Sequence, residues 1–123
     1  MVNRRRSLAA RYHELLADVE DLQLPEEPEW ARSNWQSFCV RLPRICEQAT
    51  VMQSLLDQGI ATRRGIMCAH REAAYPPGSW RSAGVLTESE TAQDRCLLLP
   101  MFHEMTEADQ DRVAAALRTS VRP

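Results

Sequence analysis

The side chains with the most chemical reach in this sequence lie between Gly59 and Tyr75. Arg63 and Arg64 stand side by side, and His70, Arg71, Glu72 and Tyr75 follow before the turn signal Pro76-Pro77-Gly78. Planar guanidinium forks suit carboxylate and phosphate groups, so the arginines point towards an anionic small molecule. For any single arginine, a solvated or salt-bridged surface position is the competing reading. Irregular loops that gather such side chains serve function more often than packing.

Other chemistries lack parts. His70-Arg71-Glu72 contains H-x-E, which in zinc deaminases supplies a ligand and a general acid/base, but that site also needs a later P-C-x-x-C and only Cys96 follows. His13, His70 and His103 are scattered, without the spacing of a metal site. There is no G-x-S-x-G and no phosphate loop ending in G-K-[ST]. All 15 Lys/Arg positions are arginine, so Schiff-base chemistry has no side-chain amine to use. The sequence therefore predicts no catalytic residue, no metal and no cofactor held by this chain alone.

Composition narrows the partners. A chain of 123 residues makes one domain, and a formal charge of −2 supplies no field to draw in nucleic acid or an anionic membrane. Apolar runs reach four or five residues, against roughly 20 for a bilayer span, and the Met1 to Arg6 start lacks an apolar signal core. The expectation is a cytoplasmic protein with neither nucleic-acid nor membrane partners. Cys39, Cys46, Cys68 and Cys96 form no C-x-x-C pair and read as reduced, buried thiols.

The elements that must position the Gly59 to Tyr75 stretch follow from periodicity. Leu8, Tyr12, Leu15, Leu16 and Val19 recur at helical spacing and predict a helix over 3–21. Its basic start is either a solvated turn or the back half of a longer helix, with Asn3 as the candidate cap. Prolines and acids make 24–34 a linker. Alternation of Phe38, Val40 and Leu42 predicts a strand over 35–42. A helix over 44–58 carries an apolar stripe of Ile45, Ala49, Met52, Leu55 and Leu56, and Gly59 is placed for a left-handed C-terminal cap. A strand over 60–64 then completes a β-α-β unit, which puts Ile60 to Arg64 beside or near the first strand. The functional-looking loop is 65–84. Thr87-x-x-Glu90 reads as a capping box for a helix over 87–95, an extended run follows at 96–99, and Thr106-x-x-Asp109 opens a helix over 106–118. The sum is an α+β (α/β layered) domain with about three strands covered by about four helices.

These residues carry a resemblance. Gln36 to Pro43, Val51 to Met67 with Gly59-Ile60-Ala61-Thr62-Arg63-Arg64-Gly65, then His70-Arg71-Glu72, Ala74-Tyr75, and Leu98-Leu99-Pro100-Met101-Phe102 leading to Val113 closely resemble the C-terminal portion of the DegT/DnrJ/StrS aminotransferases. The similarity runs from about Arg4 to Leu117 in order and spacing. It implies the small domain of a fold type I enzyme that uses pyridoxal phosphate to aminate nucleotide-linked keto-sugars. In that family the cofactor, its lysine and most phosphate contacts belong to a large N-terminal domain absent from these residues. The resemblance implies substrate contacts for Arg63, Arg64, His70 and Tyr75, and a catalytic base at none of them. It implies a truncated product, or half of a split enzyme that works with a separate large domain. A stand-alone binding or interaction module derived from that domain is the alternative. A face once covered by a neighbour tends to find another partner, which leads to the expectation of a twofold homodimer.

Overall fold

The alternating run around Phe38 folds as strand β1 (Phe38–Arg41), flanked by helices α1 (Val2–Leu16) and α2 (Gln48–Asp57) in the computed structural model, which describes residues 1–122. Strand β2 (Arg63–Arg64), helix α3 (Thr87–Arg95), strand β3 (Cys96–Leu99) and helix α4 (Glu107–Ser120) follow, with a short 3-10 turn at Ala69–Arg71. The architecture is α+β: four α-helices and a three-stranded antiparallel sheet ordered β1-β3-β2.

Of the two placements expected for Ile60 to Arg64, beside or near the first strand, the sheet takes the second. β3 inserts between β1 and β2, pairing Phe38 with Leu99 and Val40 with Leu97 on one side, and Arg63 with Leu98 and Arg64 with Leu97 on the other. β1 and β2 each run antiparallel to β3 and hence point the same way, as in a β-α-β unit split by a later strand. Leu97 and Leu99 win the central place because both are buried and extend the apolar face begun by Phe38 and Val40.

That face carries the core. Tyr12 of α1 lies against Phe38 with ring centroids 5.1 Å apart, and Trp35 stacks on Phe38 at 5.8 Å. The Tyr12 hydroxyl donates to the Pro100 carbonyl at 2.7 Å, which gives its buried oxygen a partner. Burial, and secondarily the charge of Asp109, pushes its pKa above the ordinary phenol range. α4 packs against both α1 and α2, closing the layer with Val113, Ala116 and Leu117.

Several boundaries differ from the sequence reading. α1 ends at Leu16 rather than near position 21, because acids at Asp18, Glu20 and Asp21 oppose the negative end of the helix dipole. Gln23 is then drawn to the sheet, where it exchanges backbone bonds of 3.0 and 2.9 Å with Arg41. The basic start is neither a free turn nor capped by Asn3, which lies within the helix. Arg4 bonds the carbonyls of His103 and Met105, and Arg6 that of Ser33.

β1 begins at Phe38 instead of 35, since Trp35 holds a left-handed φ of 50° that ends any strand geometry. α2 starts at Gln48 and buries Gln48, Val51 and Leu55; Ile45 and Leu56 are exposed and Ala49 is outside the stripe. Gln48 takes a core position because its amide has polar work there, donating to the carbonyls of Gln93 and Cys96. At the other end Gly59 adopts a φ of 75°, with Gly59 N–H to Leu56 O and Ile60 N–H to Leu55 O, the paired bonds of a Schellman cap.

The strand predicted over 60–64 is reduced to its last two residues, because Ile60 turns inward to the core. Thr87 does not cap α3: Leu86 is the N-cap and Glu90 is used elsewhere. The second box does form, with Asp109 N–H to Thr106 Oγ1 at 3.1 Å and Thr106 N–H to Asp109 Oδ2 at 2.8 Å, and α4 runs two residues past the expected 118.

Candidate functional site

Arg63 and Arg64 do not form one fork. Successive residues of a strand face opposite sides of a sheet. Arg64 shares the helix-covered side with its partner Leu97 and lines a cleft of about 290 Å³ with Ala49, Met52, Gln53, Leu56, Ala61 and Thr62. Arg63 pairs with Leu98 and faces the opposite side, as does Cys39 across the sheet. Both arginines are exposed, and neither meets a carboxylate among the described residues.

The loop predicted to be functional is fastened to α3. His70 Nε2 lies 2.9 Å from Glu90 Oε1, and its ring rests 5.2 Å from that of Trp80. Arg71 Nη1 reaches Asp94 Oδ1 at 2.6 Å, and that carboxylate holds the guanidinium charged above its ordinary range. Cys68 N–H donates to Gln93 Oε1 at 2.7 Å, and its thiol donates to the Ser89 carbonyl at 3.2 Å. Three residues of one short turn, Cys68, His70 and Arg71, therefore anchor to one short helix, while Tyr75, Ile66 and Met67 are exposed.

The four predicted site residues thus fall into two places. Arg63 and Arg64 occupy the sheet edge, while His70 and Tyr75 belong to the loop over α3. No hydrogen bond or ion pair joins any two of them among the described residues. Glu90, Asp94 and Trp80, which set the posture of His70 and Arg71, and Gln93, which holds Cys68, were not among the site residues expected from the sequence. Only Glu90 left a signal, and a helix-cap pattern absorbed it.

The side of the sheet facing away from Phe38 and Val40 holds two thiols, Cys39 and Cys96, against Gly65. A Cβ at Gly65 would sit 2.6 Å from Cys39 Sγ and 2.9 Å from Cys96 Cβ, so only hydrogen fits there. Burial, then the neighbouring Cys96, pushes the Cys39 thiol up to about 11, which favours the protonated thiol at neutral pH. All four cysteines are free thiols. Among the described residues no group of three His, Cys, Asp or Glu is placed to hold a metal, and no helix is long and apolar enough to cross a membrane.

Comparison with known proteins reaches nearly the whole chain. Residues 1–118 match the model of the DegT/DnrJ/EryC1/StrS aminotransferase family. Among solved structures, the chain is similar to the aminotransferase TlmJ from Streptoalloteichus hindustanus at 27% identity and a TM-score of 0.82, covering 97% of this chain and 31% of that one. A DegT DnrJ EryC1 StrS aminotransferase from Brucella abortus gives 29% and 0.81, with 98% of this chain and 31% of that one covered. DesV from S. venezuelae, solved in complex with a ketimine intermediate, gives 27% and 0.85, with 99% and 32% covered. The chain thus spans about a third of the length of the solved structures it matches. With matching sequence from end to end of residues 1–118 and the same fold behind it, the chain belongs to the DegT/DnrJ/EryC1/StrS aminotransferase family.

Proposed function

We propose that this chain is the small, substrate-facing domain of a nucleotide-sugar aminotransferase, and that it takes part in amino transfer only beside a cofactor-binding domain carried elsewhere. The family is pyridoxal-phosphate-dependent, and the cofactor supplies an electron sink that stabilises the carbanion formed as the amino group moves. The residues present do not fit that group on their own. Every Lys/Arg position is arginine, so the cofactor aldehyde finds no side-chain amine to hold it. The cleft beside β2 offers one guanidinium and an apolar wall of Met52 and Leu56, which is too little to grip both a phosphate and a pyridine ring. No step of the reaction is therefore assigned to these side chains.

The absent amine is the observation that carries this reading. His70, locked to Glu90, and the exposed Tyr75 support a role in shaping the substrate side of a shared pocket. The test mixes the purified chain with pyridoxal phosphate, reduces with borohydride and weighs the intact protein. No stoichiometric adduct is expected; a single adduct mapped to one side chain overturns the proposal.

A further inference from the structure

The two edges of the sheet are finished differently. At β1 the edge is closed by Gln23, which exchanges both backbone bonds with Arg41. At β2 it is open. Gly65 donates its N–H to the Cys96 carbonyl at 3.1 Å, so Gly65 and Cys96 form a hydrogen-bonded rung. Rungs of an antiparallel ladder alternate, which makes Arg63 with Leu98 the next bonded rung and Arg64 with Leu97 a non-bonded one. The N–H and C=O of Arg64 consequently point off the sheet, and they have no backbone partner among the described residues.

We propose that this edge, with the cleft between β2 and α2, binds an extended acidic segment of another protein by strand addition. Main-chain bonds to an open edge supply affinity in such recognition, and pockets for alternate side chains supply specificity. Both are present. The cleft of about 290 Å³ takes an apolar side chain against Met52 and the exposed Leu56. Charge selects the partner: Arg63 and Arg64 are both exposed on this edge and, like several other arginines of the chain, have no acid partner among the described residues, so the edge presents two uncompensated guanidinium groups. Because the two point to opposite faces, the complementary segment carries two adjacent acids, one for each face, and an apolar residue two positions from the acid above the cleft. The same arginines disfavour edge-to-edge pairing with a second copy, which would set like charges against each other. This inference is independent of the proposed role in amino transfer.

The test titrates the full chain into a fluorescein-labelled synthetic peptide with two adjacent glutamates and a valine two positions beyond the second, read by anisotropy at low salt. Saturable binding below roughly 1 mM is expected. Methylating the one peptide backbone nitrogen that meets the Arg64 carbonyl should weaken binding about tenfold, and methylating either neighbouring nitrogen should leave it unaffected. Arg64→Glu should abolish binding, and the Arg63→Glu, Arg64→Glu double variant should prefer the same peptide with lysines in place of glutamates. Both arginines are exposed, so folding is checked by far-UV circular dichroism alone. Absence of saturable binding overturns the proposal, as does indifference to backbone methylation. Displacement of the peptide by glutarate at equal concentration assigns the cleft to small carboxylates and also overturns it. So does a homodimer seen in sedimentation that Arg64→Glu dissociates, because the edge would then belong to a second copy.

Discussion

The side-chain amide of Gln48, buried on α2, donates to the Cys96 carbonyl at 2.6 Å. The same nitrogen reaches the Gln93 carbonyl at 2.9 Å, so one polar side chain ties α2 to the junction where α3 becomes β3. The loop bearing His70 and Arg71 hangs on that junction through Glu90 and Asp94.

Gln48→Leu keeps most of the volume and removes both donors, leaving the Gln93 carbonyl without this partner. A loss of about 1–3 kcal/mol is expected in urea unfolding. Gln48→Glu should be worse at neutral pH, since a carboxylate would face two carbonyl oxygens. If leucine proves as stable as glutamine, the site is held by packing and the tie described here is immaterial.

Gly65→Ala places a methyl group 2.6 Å from Cys39 Sγ. Overpacking of this kind costs about 1–3 kcal/mol. Adding Cys39→Ala removes the sulfur and should recover part of that loss, although the 2.9 Å approach to Cys96 Cβ persists. Additive effects of the two substitutions, measured in a double-mutant cycle, would refute the clash.

Acid should loosen α4 early. Hydrogen bonds from the Thr106 side chain, then from its backbone, hold the Asp109 carboxyl below its ordinary value of 3.8, and the Arg118 side chain does the same for Asp18. A carboxylate with a lowered folded pKa adds stability above the unfolded value, and that contribution is lost as pH falls through the folded value. Stability should therefore decline below about pH 4. Thr106→Ala should lower Tm by a few degrees at neutral pH and flatten the acid decline. Parallel pH curves for wild type and variant would count against the cap as the source.

What the sequence alone determined is local. The Schellman cap at Gly59, the box at Thr106 and Asp109, and the buried alternation of Phe38, Val40 and Leu42 all depend on neighbours within a few positions, so spacing exposes them. The family pattern across residues 1–118 is likewise written along the chain. Tertiary structure decided what depends on partners far away. Only folding put β3 between β1 and β2, buried Gln48, turned Glu90 from a cap into the partner of His70, and left one sheet edge open at Arg64 while Gln23 closed the other. Hydrogen bonds between residues tens of positions apart impose no period on the chain, and which rung of a ladder is bonded depends on a register that no single strand contains.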